Sequence, residues 1–239
     1  MNIFQMAVNW VKAHPLWALL FVAFLFTFDW LILNKKKLNV KWYAALILSA
    51  LHVVIGVLLV KLFAFMEAGF DAEKAGNMSL FGAVFFLPVF YYLGALLFKR
   101  NRSNVFDVFA VAMVTTLMLA RVNCLISGCC LGREIVEGGM RWPTREAELV
   151  FYVIFLIVQI PRVIKGKTHG RAYPEFMVAY GAFRAVVECF RVSAATDGIL
   201  HISHIWAMIS LILGILILLI MSGRLPVNRN KTKNRVGGK

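Results

Sequence analysis

Seven long apolar runs, each closed by a short polar or basic loop, set the pattern of the chain. They cover residues about 16–34, 42–66, 79–98, 105–130, 147–163, 172–190 and 202–222. Each approaches the roughly 20 residues that a helix needs to cross the hydrocarbon core of a bilayer. In lipid every backbone amide and carbonyl must be satisfied internally, so only helices and closed barrels can span. The runs are continuous rather than alternating in pieces of about ten residues, which argues against barrel strands. The pattern predicts an all-α polytopic membrane protein with seven transmembrane helices. Before the first run, Phe4, Val8 and Val11 recur at helical spacing, predicting an amphipathic segment on the outer surface. No small-residue cleavage site follows a short apolar core, so a removable signal peptide is not expected. The expected organisation is an interfacial segment over 1–15, a seven-helix membrane domain over 16–222 and a basic cytoplasmic tail over 223–239.

Composition supports this pattern. Of 239 residues, 61% are apolar and 16% charged, against about 45–50% and about 25% in soluble domains. A water-soluble enzyme, a disordered chain and a disulfide scaffold are excluded. The net charge of +14 resembles a nucleic-acid signal until its distribution is followed. Basic residues gather in alternate loops, at Lys35, Lys36, Lys37 and Lys41, at Lys99, Arg100 and Arg102, and at Arg162, Lys165, Lys167 and Arg171. With the tail from Arg224, one side collects 17 lysines and arginines and the other 6. This bias predicts the N-terminus outside and the C-terminus in the cytoplasm. The charge is thus read as topology and anionic-lipid contact, with no nucleic-acid partner. No internal repeat is evident, which argues against a transporter of inverted repeats.

Ionisable residues within a span face cavities or partners. Asp29 and Lys61 lie toward span ends and read as structural. In the sixth run, Tyr180, Arg184, Glu188 and Arg191 are spaced 4, 4 and 3, which puts them on one helical face. Such a stripe cannot face lipid. An Arg184–Glu188 pair that locks helix packing is the plainer reading. The preferred one is a polar cavity with an anion site, because arginine presents a planar fork to phosphate. Arg121 lies in the outer half of the fourth run. Glu148 opens the fifth run and Glu188 closes the sixth, so Arg121, Arg184, Glu148 and Glu188 are expected to meet in one outer cavity. Gly128 and Gly132 allow either close helix contact or a turn that presents amides to a ligand. The spacing of Cys124, Cys129 and Cys130 is no standard zinc pattern, and the adjacent pair 129 and 130 is not expected to point into one site. They read as small buried residues, with an arginine-assisted thiolate as the sharper alternative and a disulfide to Cys189 as another. The five histidines show no ligand spacing, so neither a metal nor a cofactor is expected.

The stretch from Arg121 to Gly132, together with Tyr180-Gly-Ala-Phe-Arg-Ala-Val-Val-Glu-Cys-Phe-Arg191, resembles the bacterial prolipoprotein diacylglyceryl transferase family. Weaker matches are Met78-Ser79-Leu80-Phe81-Gly82, and Pro143-Thr144 with Glu148. The resemblance implies seven spans with an outside N-terminus, in the bacterial plasma (inner) membrane. It further implies transfer of the diacylglyceryl group of phosphatidylglycerol to the lipobox cysteine thiol of a prolipoprotein, with glycerol 1-phosphate leaving. On this reading Arg121, Arg184 and Glu188 are catalytic, and Tyr180, Glu148, Arg191, Gly128, Gly132, Cys124 and Cys129 bind substrate. The chain departs from the family at several positions. Phe81 stands where the family usually has His, Cys124 where it has Asn and Cys129 where it has Glu. The segment Trp142 to Glu148 lacks the usual His and Tyr. These departures keep open a phospholipid-dependent transferase with another acceptor, or a non-catalytic lipid-binding protein.

Overall fold

The computed structural model describes residues 9–11, 13–71, 78–135, 139–191 and 202–223. Most of the expected interfacial segment, over 1–8 and 12, and the expected tail over 224–239 lie outside the described residues. The chain forms α1 (Pro15–Leu33), a short α2 (Lys35–Leu38), α3 (Trp42–Glu67), α4 (Phe81–Leu97), α5 (Arg102–Ser127), α6 (Thr144–Ile164), α7 (Ala172–Glu188) and α8 (Ile202–Met221). Each long helix coincides with one apolar run. Helices α1, α3, α5, α6 and α8 are long and apolar enough to cross a membrane, and α4 is a shorter apolar helix. The 17 residues of α7 carry the polar stripe. The chain is an all-helical polytopic membrane protein. The fourth run ends earlier than its hydropathy suggests, because Gly128 adopts φ 68° and caps α5 after Ser127, leaving Gly128 to Pro143 as a connection.

The bundle turns polar groups inward and apolar ones outward. Ser49, His52, Asp107, Arg121, Glu148 and Arg184 are buried, whereas Trp17, Phe21, Leu58 and Ile157 are exposed. That is the arrangement expected where the surrounding medium is hydrocarbon. Helix α5 lies at the centre, with 67% of its apolar window buried against 22% for α1 and α8. Trp30 Nε1 ties α1 to it by donating to the Val108 carbonyl at 2.9 Å. Helices α7 and α8 cross closely because Gly181 has no side chain. A Cβ there would lie 2.6 Å from both the Ala207 carbonyl oxygen and the Leu211 nitrogen, the close approach that small residues permit in membrane helices.

Contacts between loops show which ends lie together. Lys37 Nζ donates to the carbonyls of Val163 and Ile164, the latter at 2.8 Å, where its charge opposes the negative end of α6. Asn104 Nδ2 donates to the Lys37 carbonyl at 3.0 Å. The buried Asp107 carboxylate accepts from the amides of Gly170 at 2.7 Å and Ala172 at 3.1 Å, and so anchors the start of α7. The loops after the first, third and fifth runs therefore share one end of the bundle. The opposite end holds the connection 128–143, where the Arg133 amide donates to the Phe190 carbonyl at 2.8 Å.

Candidate active site

The three helix ends that converge at that opposite end bring the four expected charges together. Glu148, in the first turns of α6, reaches both neighbouring helices. Its Oε2 lies 2.5 Å from Arg121 Nε on α5, and its Oε1 accepts from Arg184 Nη1 on α7. Arg184 Nη2 lies 2.8 Å from Glu188 Oε2, one turn further along α7. Glu188 Oε2 is in turn 3.5 Å from Arg191 Nη1. Arg121, Arg184, Glu148 and Glu188 are all at most 5% exposed, so water screens the pairs among these four little, whereas Arg191 is partly exposed. The α7 stripe thus contains the Arg184–Glu188 pair of the plainer reading, but the network extends to two further helices.

Charge counting shows what this network can do. Among the described residues of this network three arginines face two glutamates, so guanidinium groups outnumber carboxylates where an uncompensated ion is costly. Arg184 Nε is also buried with no hydrogen-bond partner among the described residues. A buried guanidinium donor of this kind favours an anionic group. Tyr180 forms an apolar wall beside it, its ring 5.6 Å from that of Phe81, 5.3 Å from Phe176 and 6.2 Å from Tyr152. Phe81 therefore stands directly against the site.

The connection after α5 closes the site from above. Gly132 pairs with Arg191 in an isolated antiparallel bridge. A Cβ on Gly132 would lie 2.0 Å from the Trp142 carbonyl oxygen, so only glycine fits. This corrects the helix-contact reading of Gly128 and Gly132. Gly128 ends the helix and Gly132 lies beyond it, because a residue with φ near +68° cannot continue a right-handed helix.

The cysteines also depart from expectation. Although 129 and 130 are adjacent, the sulfur atoms of Cys124, Cys129 and Cys130 all lie within 4.8 Å of one another. The reason is again backbone. Gly128 and Cys130 both have positive φ, 68° and 58°, and fold the chain back over the last turn of α5. Arg121 Nη1 is 4.0 Å from Cys124 Sγ, so this cluster touches the charge network. A hydrogen bond from the Cys124 thiol, helped by the charges of Arg121 and Arg191 and opposed by burial, holds the Cys130 thiol well below the usual range. All four cysteines are free thiols, which corrects the disulfide alternative. Cys189 instead lies 3.5 Å from His204 Nε2.

Two residues at the site were not singled out from the sequence. Tyr152 follows Glu148 by one turn, a 4-residue spacing that carried the signal. Arg145 donates to the carbonyls of Cys124 at 3.5 Å and Cys129 at 3.4 Å, a contact that no local pattern announces. An apolar cavity of about 480 Å³, lined by Phe85, Pro88, Tyr92, Phe106, Met177 and Leu213, lies away from these charges.

The profile of the prolipoprotein diacylglyceryl transferase family matches residues 70–220, a range that holds every residue of the charge network and the cysteine cluster. A search of curated proteins finds no significant match.

Proposed function

The chain belongs to the prolipoprotein diacylglyceryl transferase family, and from that premise we propose that it moves the diacylglyceryl group of phosphatidylglycerol to the lipobox cysteine thiol of a prolipoprotein. The seven long helices are its spans, with the N-terminus outside and the basic loops in the cytoplasm of a bacterium. That orientation sets the charge network at the outer leaflet of the plasma membrane.

The observation that carries the reading is the convergence of the buried Arg121 and Arg184 guanidinium groups, with Arg191 beside them, on Glu148 and Glu188. The thiol gives up its proton to water, its sulfur attacks the glycerol carbon that bears the phosphate, and the carbon–oxygen bond breaks with its electron pair passing to the phosphate oxygen. Negative charge grows on that oxygen during the step. Arg121 and Arg184 stabilise it most where water is excluded. Glu148 and Glu188 hold the guanidinium planes in place, and Tyr180 packs beside the lipid headgroup. Gly128, Gly132 and Arg191 shape the loop that closes over it, and Cys124 and Cys129 face the acceptor.

Phe81, Cys124 and Cys129 stand where the family usually has His, Asn and Glu. They support a second reading, in which the same donor serves a different acceptor. Purified protein incubated with phosphatidylglycerol and a lipobox peptide separates these readings by mass spectrometry. A diacylglyceryl gain on the cysteine, reduced on the order of 10²–10³-fold in Arg184→Ala, supports the proposal. Lipid consumed with no gain on the peptide moves the assignment to another acceptor. Lipid left intact favours a non-catalytic lipid-binding protein.

A further inference from the structure

The cysteine cluster has a role that the charge network does not supply. Three sulfur atoms within 4.8 Å of one another sit close to the spacing that one soft metal imposes. Zinc–sulfur bonds of about 2.3 Å place tetrahedral thiolate ligands about 3.8 Å apart. Side-chain rotation alone is of the right order to close the difference. Soft thiolates select zinc or monovalent copper over hard cations. Among the described residues no fourth histidine, cysteine or carboxylate joins the group. Sites with three protein ligands and an open fourth position are those in which zinc does chemistry, whereas structural sites are closed by four. The cluster is also held in place. Arg145 fixes the carbonyls of Cys124 and Cys129, and Thr144 Oγ1 donates to the Cys130 carbonyl at 3.5 Å. These contacts hold the backbone that carries the three sulfur atoms.

We propose that Cys124, Cys129 and Cys130 form a three-thiolate zinc site whose open fourth position takes the thiol of the acceptor. The metal site stands on the sulfur geometry, and its role in transfer rests on the thiol acceptor proposed above. Cys129 is exposed while Cys124 and Cys130 are half-buried, so an incoming thiol has an approach. Binding releases the thiol proton to water and delivers a thiolate at neutral pH. The new bond joins that sulfur to the glycerol carbon, and the carbon–oxygen bond to phosphate breaks as described. The thioether product is neutral, binds zinc more weakly than a thiolate and leaves. Arg121, 4.0 Å from Cys124 Sγ, puts leaving-group stabilisation next to the activated sulfur. This supplies thiol activation in a chain that has Phe81 in place of the family's usual histidine.

The test uses the full chain in detergent, reduced with a phosphine under anaerobic conditions and titrated with Co²⁺ as an optical stand-in for Zn²⁺. The expected result is about one ion per chain, with a thiolate-to-cobalt charge-transfer band. That band is lost in Cys124→Ser and Cys130→Ser and kept in Cys189→Ser, each checked for a monodisperse elution profile. A lipobox peptide added to the cobalt protein is expected to strengthen the band as a further thiolate enters. Wild-type protein with reduced thiols and no thiolate band overturns the site, whatever the variants do. A band that survives in Cys124→Ser and Cys130→Ser together overturns this ligand set. Cysteines recovered as an internal disulfide that exclude metal even after reduction also overturn it. Undiminished transfer to the peptide after chelation to zero metal content overturns the catalytic role while leaving the proposed function standing. Metal bound at these cysteines, with a peptide that neither alters the band nor gains lipid, supports the site and counts against the thiol acceptor.

Discussion

Replacing Glu148 with Gln removes the carboxylate that joins three helices. Its two oxygens serve Arg121 at 2.5 Å and Arg184; without them Arg121 keeps no carboxylate partner among the described residues, and Arg184 and Arg191 share the single charge of Glu188. At an effective dielectric near 20, a contact of this length is an attraction of about 7 kcal/mol. Desolvation of the three ions offsets much of it, and removing one partner of a buried pair costs about 3–5 kcal/mol. For a chain of this size that corresponds to a fall in Tm of about 6–20 °C. Arg184→Gln is the informative comparison. Glu148 then keeps Arg121, and Glu188 keeps Arg191 at 3.5 Å, so each carboxylate retains a cation and the cost is about 1–3 kcal/mol. Thermal unfolding in one detergent, followed by tryptophan fluorescence or by aggregation, ranks the two variants. Glu148→Gln is expected to melt well below Arg184→Gln, while both lose turnover. A Glu148→Gln protein melting within about 2 °C of the parent, or the opposite ranking, refutes the bridging role assigned to Glu148.

Other perturbations test separate parts of the structure. Gly132→Ala drives a methyl group into the Trp142 carbonyl, and the loop shift this forces is expected to cost about 1–3 kcal/mol and lower turnover. An unchanged melt and rate would contradict the close approach. Asp107→Leu strands the amides of Gly170 and Ala172 at about 1–3 kcal/mol each. Limited proteolysis near Gly166 to Gly170 should become faster in that variant, and unchanged cleavage there would count against the anchor. In metal-free, reduced protein the Cys130 thiol lies well below the usual range, so its thiolate persists as pH falls through neutrality. Its alkylation rate is expected to change little between pH 8 and pH 6, where an ordinary thiol slows about tenfold per unit. A depressed acid of this kind contributes stability that is fully present above the unfolded thiol's pKa and is lost as pH falls toward the folded one. Ordinary slowing at Cys130 would remove the assigned charge environment.

The sequence by itself determined where the helices lie, because transfer of a segment into hydrocarbon depends on that segment's own composition and length. The runs near 42–66 and 202–222 reappear as Trp42–Glu67 and Ile202–Met221. Sequence also brought out the polar face of α7, since residues four apart share a face in any α-helix, and it pointed to Arg121 and Glu148 as its partners. Tertiary structure decided the rest. That Glu148 bridges both arginines depends on how α5, α6 and α7 are placed around one another, which no single helix specifies. The roles of Gly132 and Asp107 depend on backbone atoms far away in the chain, at Trp142 and at Gly170 and Ala172. The three cysteines converge because Gly128 and Cys130 take left-handed conformations. Their spacing in the sequence therefore follows neither the helical nor the strand period on which the opposite expectation was based.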